Sequence, residues 1–292
     1  MNQGLKIVVL AKQVPDTRNV GKDAMKSDGT VNRAALPAIF NPEDLNALEQ
    51  ALYLKDTTPG SKVTVLTMGP FRAAEIIREA MFRGADDGIL VTDRKFAGAD
   101  TLATSYTLAA AVRKINPDII IAGRQAIDGD TAQVGPQAAE KLGWPQVTYA
   151  EEVLEVNDGE VTIKRRLEHG VEVVVCKFPM VITVNASASD CRTRNAKLMM
   201  KFKHARTLSE VQGMDEDYYL GLRNERCYLT IPEWGAADME VEDQQLGLSG
   251  SPTKVKNIEN VVFQAKESKR LTASDEDISY LIKELVSSHT LG

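Results

Sequence analysis

The sequence predicts an α/β fold in which a largely parallel sheet is flanked by helices, and three observations point to it. Short runs of β-branched and other apolar residues recur along the chain, as in strands whose two faces are both covered. Segments with apolar residues three and four positions apart lie between these runs, as in helices with one buried face. The composition, with 43% hydrophobic and 26% charged residues over 292 positions, is that of a globular protein.

Strands and helices alternate through the first half of the chain. Residues 5–11 (LKIVVLA) predict a first strand, which ends at a loop over 12–16. Asn41 is predicted to cap a helix over 42–55, because a proline and two acidic residues follow it. The remaining predicted elements are strands over 62–67, 88–91 and 118–122 and helices over 71–83 and 100–115. Because strands separated by helices lie parallel in one sheet, we expect a Rossmann-like arrangement.

The second half of the chain has a different pattern. Three short segments with alternating side chains predict an antiparallel meander, because the residues between them form turns. These segments cover residues 147–156, 160–166 and 170–176, and a further buried strand is predicted over 179–184. We therefore expect a small antiparallel section beside the parallel sheet.

Residues beyond about 207 show little periodicity until Ser274, which is predicted to cap a last helix through Leu285. An extended tail of this length usually needs another surface to lie on. We therefore predict an α/β domain over 1–206 and a C-terminal extension over 207–292 that packs on a partner chain.

Charge and cysteine content argue against several classes of protein. Lys and Arg number 35 and Asp and Glu 41, so the net charge of −6 does not favour nucleic acid or anionic membranes. The basic stretch over 192–206 has no interleaved aromatic residue apart from Phe202, so no nucleic-acid site is expected there. Three cysteines without CxxC spacing favour a reducing cytoplasm. Because no apolar run approaches ~20 residues, we expect no membrane insertion.

The most unusual segment is residues 123–136 (GRQAIDGDTAQVGP). Ligands of open parallel sheets bind at the loops beyond the carboxyl ends of the strands. Asp130 and Thr131 are placed to cap a helix that runs to about residue 142, and three glycines and free N–H groups suit a nucleotide phosphate. The alternative is a tight turn in which Asp and Gly serve only the backbone geometry. The loops at this edge are residues 12–16, 68–70, 92–100 and 123–136.

The residues do not form a recognisable catalytic set. The three histidines, at positions 169, 204 and 289, do not stand at metal-ligand spacing. The sequence contains no HExxH, Walker lysine loop, GxSxG or GxGxxG motif. We therefore predict no catalytic side chains and no metal site, and we expect a carrier whose bound cofactor supplies the chemistry.

Four segments in the same order resemble the beta subunit of the electron-transfer flavoproteins. They are residues 8–16 (VVLAKQVPD), 41–44 (NPED), 123–136 and 163–183, and the resemblance extends over roughly residues 5–206. His169 departs from the family, in which Gly or Asp is usual at that place. Within the last segment the family spacing is kept by Arg165, Glu168, Gly170, Glu172, Pro179 and Thr183.

The resemblance implies a heterodimer whose alpha subunit carries one FAD, while this subunit binds either AMP or a second FAD. Members that bind AMP usually carry an acid at the position of Gly129 and polar residues at those of Ala132 and Val134. The segment 129–136 (GDTAQVGP) instead resembles the flavin-bifurcating branch. In that branch NADH reduces the flavin of this subunit. One electron then passes to the alpha-subunit FAD and the other to a low-potential acceptor such as ferredoxin.

Two other interpretations stay open. One is a non-bifurcating electron carrier that binds AMP as a structural group. The other is a nucleotide-sensing module similar to the universal stress proteins, although residues 123–131 imitate their phosphate loop only loosely. We expect the bifurcating type, and thus a redox subunit of an NADH-dependent complex.

The resemblance also implies roles for individual residues. The backbone amides of 129–133 and the Thr131 hydroxyl are expected to bind phosphate oxygens at the positive end of the following helix. At least one of Asp128 and Asp130 is expected to bind hydroxyls or backbone instead, because two carboxylates would repel phosphate. Arg124 is expected to hold negative charge on a reduced flavin or, alternatively, to form a surface salt bridge.

Asp100 and Thr101, at the start of a predicted helix, are expected to reach the flavin ring or the nicotinamide. The full set of predicted binding residues is Leu10, Ala11, Lys12, Asn41, Pro42, Glu43, Asp44, Met68, Asp100, Thr101, Gly123, Arg124, Gln125, Ala126, Ile127, Asp128, Gly129, Asp130, Thr131, Ala132, Gln133 and Val134.

Residues 184–202 align with the loop by which the family docks on redox partners such as a dehydrogenase or a quinone reductase. Arg192 is retained, but the usual leucine anchor falls on Ala196, with Leu198 close by. The identity of the redox partner therefore stays open.

Overall fold

The computed structural model describes residues 4–16, 37–157, 159–212, 214, 216–253 and 268–288, and it has the predicted alternation of strands and helices. The strands are β1 (Lys6–Leu10), β2 (Gln13–Pro15), β3 (Ala38–Phe40), β4 (Lys62–Met68), β5 (Asp87–Val91), β6 (Ile119–Gly123), β7 (Gln146–Asn157), β8 (Glu160–Leu167), β9 (Gly170–Lys177), β10 (Met180–Val184) and β11 (Glu233–Trp234). The α-helices are α1 (Pro42–Thr57), α2 (Ala74–Arg83), α3 (Thr101–Ile115), α4 (Val134–Leu142), α5 (Ala196–Phe202), α6 (Leu208–Val211), α7 (Glu216–Glu225) and α8 (Asp275–Ser287).

The main sheet of the described residues has nine strands in the order β11-β5-β4-β1-β6-β10-β7-β8-β9. Neighbours from β11 to β7 are parallel, whereas β7, β8 and β9 form the predicted antiparallel meander. The meander continues the parallel sheet, because β7 pairs with both β10 and β8. The predicted fold class is therefore confirmed.

Helices cover both faces of the parallel strands, as the first strand illustrates. Ile7 and Val9 belong to one apolar cluster with α1 and α2. Val8 and Leu10 belong to a second cluster with α3 and α4. All four side chains are buried. A strand that is covered on both faces buries successive residues, which is why β1 is a continuous apolar run in the sequence.

The loop predicted over 12–16 contains a short strand. β2 pairs antiparallel with β3, and the backbone N–H of Asn41 donates to the carbonyl of Lys12 (3.0 Å). This small two-stranded sheet holds the end of β1 against the start of α1, next to the edge where the predicted ligand-binding loops emerge.

The segment after residue 207, expected to be extended, is folded up to residue 253. The chain divides into compact units of residues 1–256 and 257–292, so the first unit continues beyond the boundary expected at 206. β11 pairs with β5 at the sheet edge, and Leu229 and Ile231 are buried in the cluster of α1 and α2. The residues that make these contacts are scattered along the sequence, so they produce no hydrophobic periodicity from which a helix or strand could be predicted. Packing of the extension on a partner stays a prediction.

The last helix begins where the sequence predicts. In the second unit, the Ser274 hydroxyl accepts a hydrogen bond from the backbone N–H of Asp277 (3.2 Å), as an N-cap residue does. The helix α8 ends at Ser287, slightly beyond the predicted Leu285.

Two predicted helix caps are wrong. Asn41 precedes α1 but makes no side-chain cap, because its side chain bonds to another loop. Asp130 and Thr131 do not cap α4, which begins only at Val134, and the preceding residue has no side-chain cap either. The reason is the backbone: Asp130 and Ala132 adopt left-handed conformations, with φ of 48° and 53°, which cannot continue into a right-handed helix.

The burial of β6 generates a stability prediction. Ile121 is fully buried at the centre of the sheet. Ile121→Ala should lower the free energy of unfolding by about 2–5 kcal/mol, because it leaves a cavity on a packed strand. The matched control is Val173→Ala on β9, whose side chain is 60% exposed, and it should cost less than about 1 kcal/mol. Urea unfolding of both variants checks this, and equal losses would contradict the described packing.

Candidate nucleotide-binding site

A cavity of about 740 Å³ lies at the carboxyl ends of β1, β4, β5 and β6. The chain adds β4 and β5 on one side of β1 and then crosses to β6 on its other side. Loops that leave β1 and β6 therefore diverge and open a crevice, which is where open α/β sheets bind ligands. The cavity lies at the edge that the sequence predicts.

Most of the predicted binding residues line this cavity. They are Leu10, Ala11, Lys12, Asp44, Met68, Asp100, Thr101, Gly123, Arg124, Gln125, Ala126, Gly129, Asp130, Thr131, Ala132, Gln133 and Val134. The structure places Asn41, Pro42, Glu43, Ile127 and Asp128 outside the lining. Binding of a ligand by any of them stays a prediction.

Sequence reasoning missed the apolar floor and the far wall of the cavity. Leu66, Val91 and Phe96 line it, and Phe71 lies at its exposed rim. The signal was present in part, because the loop over 92–100 follows a strand and was recognised as facing this edge. Which of its side chains turn inward depends on packing that no spacing reveals.

Asn41 holds the loop that follows β6. Its side-chain amide donates to the Gln125 carbonyl (2.9 Å), and its Oδ1 accepts from the Ile127 backbone N–H (3.2 Å). The side chain is fully buried. The side-chain amide of Asn41 thus pairs with one backbone carbonyl and one backbone N–H of the turn. These two hydrogen bonds fix the conformation of the turn.

Glu43 holds the same loop and also pairs with Arg124. Its carboxylate accepts from the Gln125 backbone N–H (3.0 Å) and from Arg124 Nη2 (3.1 Å). The Arg124 guanidinium lies 5.8 Å from the centre of the Tyr149 ring. Its Nε is buried and has no hydrogen-bond partner among the described residues. Of the two roles predicted for Arg124, the structure shows the salt bridge. Arg124 also lines the cavity.

Asp44 joins the ends of β1 and β6. Its two carboxylate oxygens accept from the backbone N–H groups of Lys12 (2.8 Å) and Gly123 (3.1 Å). Burial raises the pKa of Asp44 to about 7, although both hydrogen bonds act in the opposite direction. A Cβ atom at Gly123 would lie 2.4 Å from Asp44 Oδ1, so only glycine allows this approach.

The two acids predicted near the phosphate both have side-chain partners. Asp128 forms a salt bridge with Lys12 (2.7 Å), and Asp130 accepts from Gln125 Nε2 (3.0 Å). Because each carboxylate is engaged by a donor of the protein, its repulsion of a bound anion is reduced.

The backbone amides of the loop divide into two groups. Those of Gly129 and Asp130, predicted to bind phosphate, donate instead to the Ala126 carbonyl (3.2 and 2.9 Å). Those of residues 131–135 donate to no acceptor in the part of the chain that the structure describes. These free amides lie at the N-terminus of α4 and line the cavity, so they can bind an anion together with the helix dipole.

The opposite wall begins at the first turn of α3. The Thr101 hydroxyl donates to Gln133 Oε1 (2.8 Å), which links this wall to residues 123–136, the predicted phosphate-binding loop, called the phosphate loop below. Asp100 Oδ1 accepts from the N–H groups of Leu102 and Ala103 (both 3.0 Å). Its other oxygen accepts from Thr253. Asp100 thus shapes the wall, and both of its oxygens already accept hydrogen bonds from the protein.

The loop predicted to dock on partners is partly engaged within the chain. Arg192 makes a bidentate salt bridge with Glu49 (2.9 Å for the shorter Nη2 contact) and a second one with Asp56 (2.8 Å). Leu198 packs against the core, whereas Ala196 is exposed. Arg192 therefore positions this loop on α1.

The described residues lack two other kinds of feature. No group of three or more His, Cys, Asp and Glu side chains there is placed to hold a metal ion. No described helix combines the length and the hydropathy needed to cross a membrane.

The buried carboxyl of Asp44 generates a pH prediction. Its pKa of about 7 in the folded protein exceeds that of an unfolded aspartate, so the folded state retains a proton that the unfolded state loses. The free energy of unfolding should therefore fall as pH rises from about 4 to about 7, by up to about 1.4 kcal/mol per pH unit. Asp44→Asn cannot titrate, and urea unfolding of both proteins across this range isolates the effect. A difference between them that does not change with pH would contradict it.

Comparisons with known proteins identify the family of this chain. Residues 28–206 match the family described as electron transfer flavoprotein domain. The electron transfer flavoprotein subunit beta of Clostridium acetobutylicum is 42% identical over 285 residues, 98% of this chain and 99% of the relative. The caffeyl-CoA reductase-Etf complex subunit CarD of Acetobacterium woodii is 41% identical over 252 residues, 86% of each chain. The acryloyl-CoA reductase electron transfer subunit gamma of Anaerotignum propionicum is 53% identical over 182 residues, 61% of this chain and 67% of the relative. The chain therefore belongs to the electron transfer flavoprotein family and, within it, to the beta subunits.

Proposed function

We propose that this protein is the beta subunit of a heterodimer that binds FAD in the cavity described above. It accepts a hydride from NADH, and the two electrons pass separately to the FAD of an alpha subunit and to a low-potential acceptor such as ferredoxin. The observation that carries the proposal is the combination of free amides at residues 131–135 with a cavity of about 740 Å³. We further expect the complex in the reducing cytoplasm, consistent with the free thiols of Cys176, Cys191 and Cys227.

The size and lining of the cavity favour a flavin dinucleotide over AMP. Ligand cavities span about 300–1,000 Å³, and this one is in the upper part of that range. The free amides suit the pyrophosphate, while the exposed Phe71 and the half-buried Met68 offer an apolar surface for a flat ring. A bare adenylate would leave much of this apolar surface in contact with water.

The residues fit the proposed cofactor in charge as well. The amides of 131–135 and the Thr131 hydroxyl donate to phosphate oxygens, and the dipole of α4 stabilises the negative charge. The Arg124 guanidinium on the cavity wall stabilises negative charge on a reduced ring. The bound flavin supplies the hydride and one-electron chemistry. The protein holds the cofactor, orients it and excludes water around it.

The C-terminal unit supports an interface with the alpha subunit. Helix α8 exposes Ile278, Leu281, Ile282 and Val286, each between 44% and 54% accessible within this chain. These positions repeat at three- and four-residue spacing along one face. We propose that this face packs on the alpha subunit, which gives the C-terminal extension its expected role.

The cofactor content of the purified heterodimer tests the proposed function. We expect two FAD molecules per heterodimer, both of which lose their visible absorption on anaerobic titration with NADH. Spectroscopy of the native protein and chromatography of the released cofactors measure this. One FAD accompanied by AMP would favour the non-bifurcating carrier, and a colourless protein would favour a nucleotide-sensing module.

The open space at Gly129 allows a test of specificity by charge. A Cβ atom there meets no atom within 4 Å, so substitution need not disturb the loop. Gly129→Asp places a carboxylate beside the proposed phosphate site and should weaken FAD binding by about tenfold or more, since like charges repel. Gly129→Ala, the matched control, should bind within about threefold of the wild type. Fluorescence titration of flavin-depleted heterodimer compares them. Equal affinities for all three proteins would argue against phosphate at this loop.

A further inference from the structure

The C-terminal part of the first unit braces one wall of the cavity. We call residues 235–253 the brace and residues 92–100, which lie between β5 and α3, the wall. The backbone N–H of Ala236 donates to Asp93 Oδ2 (3.0 Å) at one end of the wall. Lys95 forms an ion pair with Asp243 of the brace (2.7 Å) in the middle. The two segments are therefore joined along their length.

Backbone packing between them is close enough to demand glycine. Gly247 has a φ of 49°, and a Cβ atom there would lie 2.2 Å from the Lys95 carbonyl oxygen. The N–H of Leu248 next to it donates to the Ala97 carbonyl (3.1 Å). The brace thus gives the wall backbone partners that no strand of the sheet provides.

Ser251 is the point where the brace reaches the start of α3. Its hydroxyl accepts from the Asp100 backbone N–H (2.8 Å) and donates to the Gly247 carbonyl (2.7 Å). The side chain is 4% exposed. Loss of this hydroxyl would leave a partly buried N–H and a buried carbonyl without this partner, which is costly away from water.

A second contact ties the same place to the brace. The backbone N–H and the hydroxyl of Thr253 both donate to Asp100 Oδ2 (3.1 and 2.7 Å). Asp100 caps α3, and the next residue, Thr101, bonds to Gln133 of the phosphate loop. A continuous series of contacts therefore runs from Ser251 through Asp100 and Thr101 to Gln133.

We propose that Ser251 is a positioning residue for the cofactor site, acting through Asp100 on the wall and the phosphate loop. This inference rests on the proposed function, since it concerns the FAD of that site. Ser251 touches no part of the cavity itself but fixes the residue whose neighbours line it. Its loss should loosen the cofactor without removing any group that contacts it.

The test uses the purified heterodimer. Ser251→Ala should raise the dissociation constant of FAD at this site about tenfold and change the visible circular dichroism of that flavin. Ser251→Thr retains the hydroxyl and should restore both values. The matched control is Ser105→Ala in α3. Ser105 is fully buried and its hydroxyl donates to the Leu102 carbonyl (2.8 Å), but the residue does not line the cavity. This variant should shift the urea midpoint and leave affinity and dichroism unchanged.

A milder variant keeps the test decisive if Ser251→Ala does not yield a folded heterodimer. Thr253→Val removes one hydroxyl from an exposed position and should weaken FAD binding two- to threefold. Unchanged affinity and dichroism in these variants, or an equal loss in Ser105→Ala, would overturn the inference. The cofactor content of the wild type reports separately on the proposed function, because AMP in place of FAD would refute that function. The ratio of the nucleotide's dissociation constants for variant and wild type would still measure positioning.

Discussion

The carboxyl of Asp44 connects the ends of two neighbouring parallel strands, and the shape of the cavity depends on this connection. The pairing of β1 with β6 ends at Leu10 and Ala122, and the next amides toward the crevice, those of Lys12 and Gly123, donate to Asp44. A buried amide without an acceptor is costly, and Asp44 supplies both acceptors from the first turn of α1. The raised pKa of Asp44 reflects the cost of placing a carboxyl there. Asp44 thereby ties the ends of both strands to the start of α1.

The neighbours of Asp44 extend the same principle to the phosphate loop. Asn41 and Glu43 form hydrogen bonds with the backbone at residues 125 and 127. Residues of the 41–44 motif therefore fix the turn that follows β6. The loop acids are engaged as well, Asp128 by Lys12 and Asp130 by Gln125. Among the described residues, the polar groups of this loop that are left without a partner are mainly amides at the start of α4. A chain with a net charge of −6 thereby presents a local cluster of N–H donors.

Much of the fold was predictable because strands that are buried on both faces are continuous apolar runs in the sequence. The run over β1 and the first turn of α1 carried clear signals, and the family motif located the phosphate loop. The roles inside that motif were less accessible. Asn41 reads as a helix cap by its place before Pro42, yet its side chain serves a loop more than eighty positions later. Similarly, Asp130 reads as a cap, but its left-handed backbone delays the helix to Val134.

The sequence by itself determined the α/β class, the antiparallel meander, the family and the loops that line the cavity, since these follow from local periodicity and from contiguous motifs. Only the tertiary structure decided that residues beyond 207 complete the first unit and that Ser251 and Thr253 support the wall at Asp100. It also decided that the amides of 131–135 find no acceptor among the residues that the structure describes. The physical reason is that these features are hydrogen bonds between distant segments, or their absence. Their partners meet because the sheet and its helices pack, and no spacing along the chain encodes that meeting.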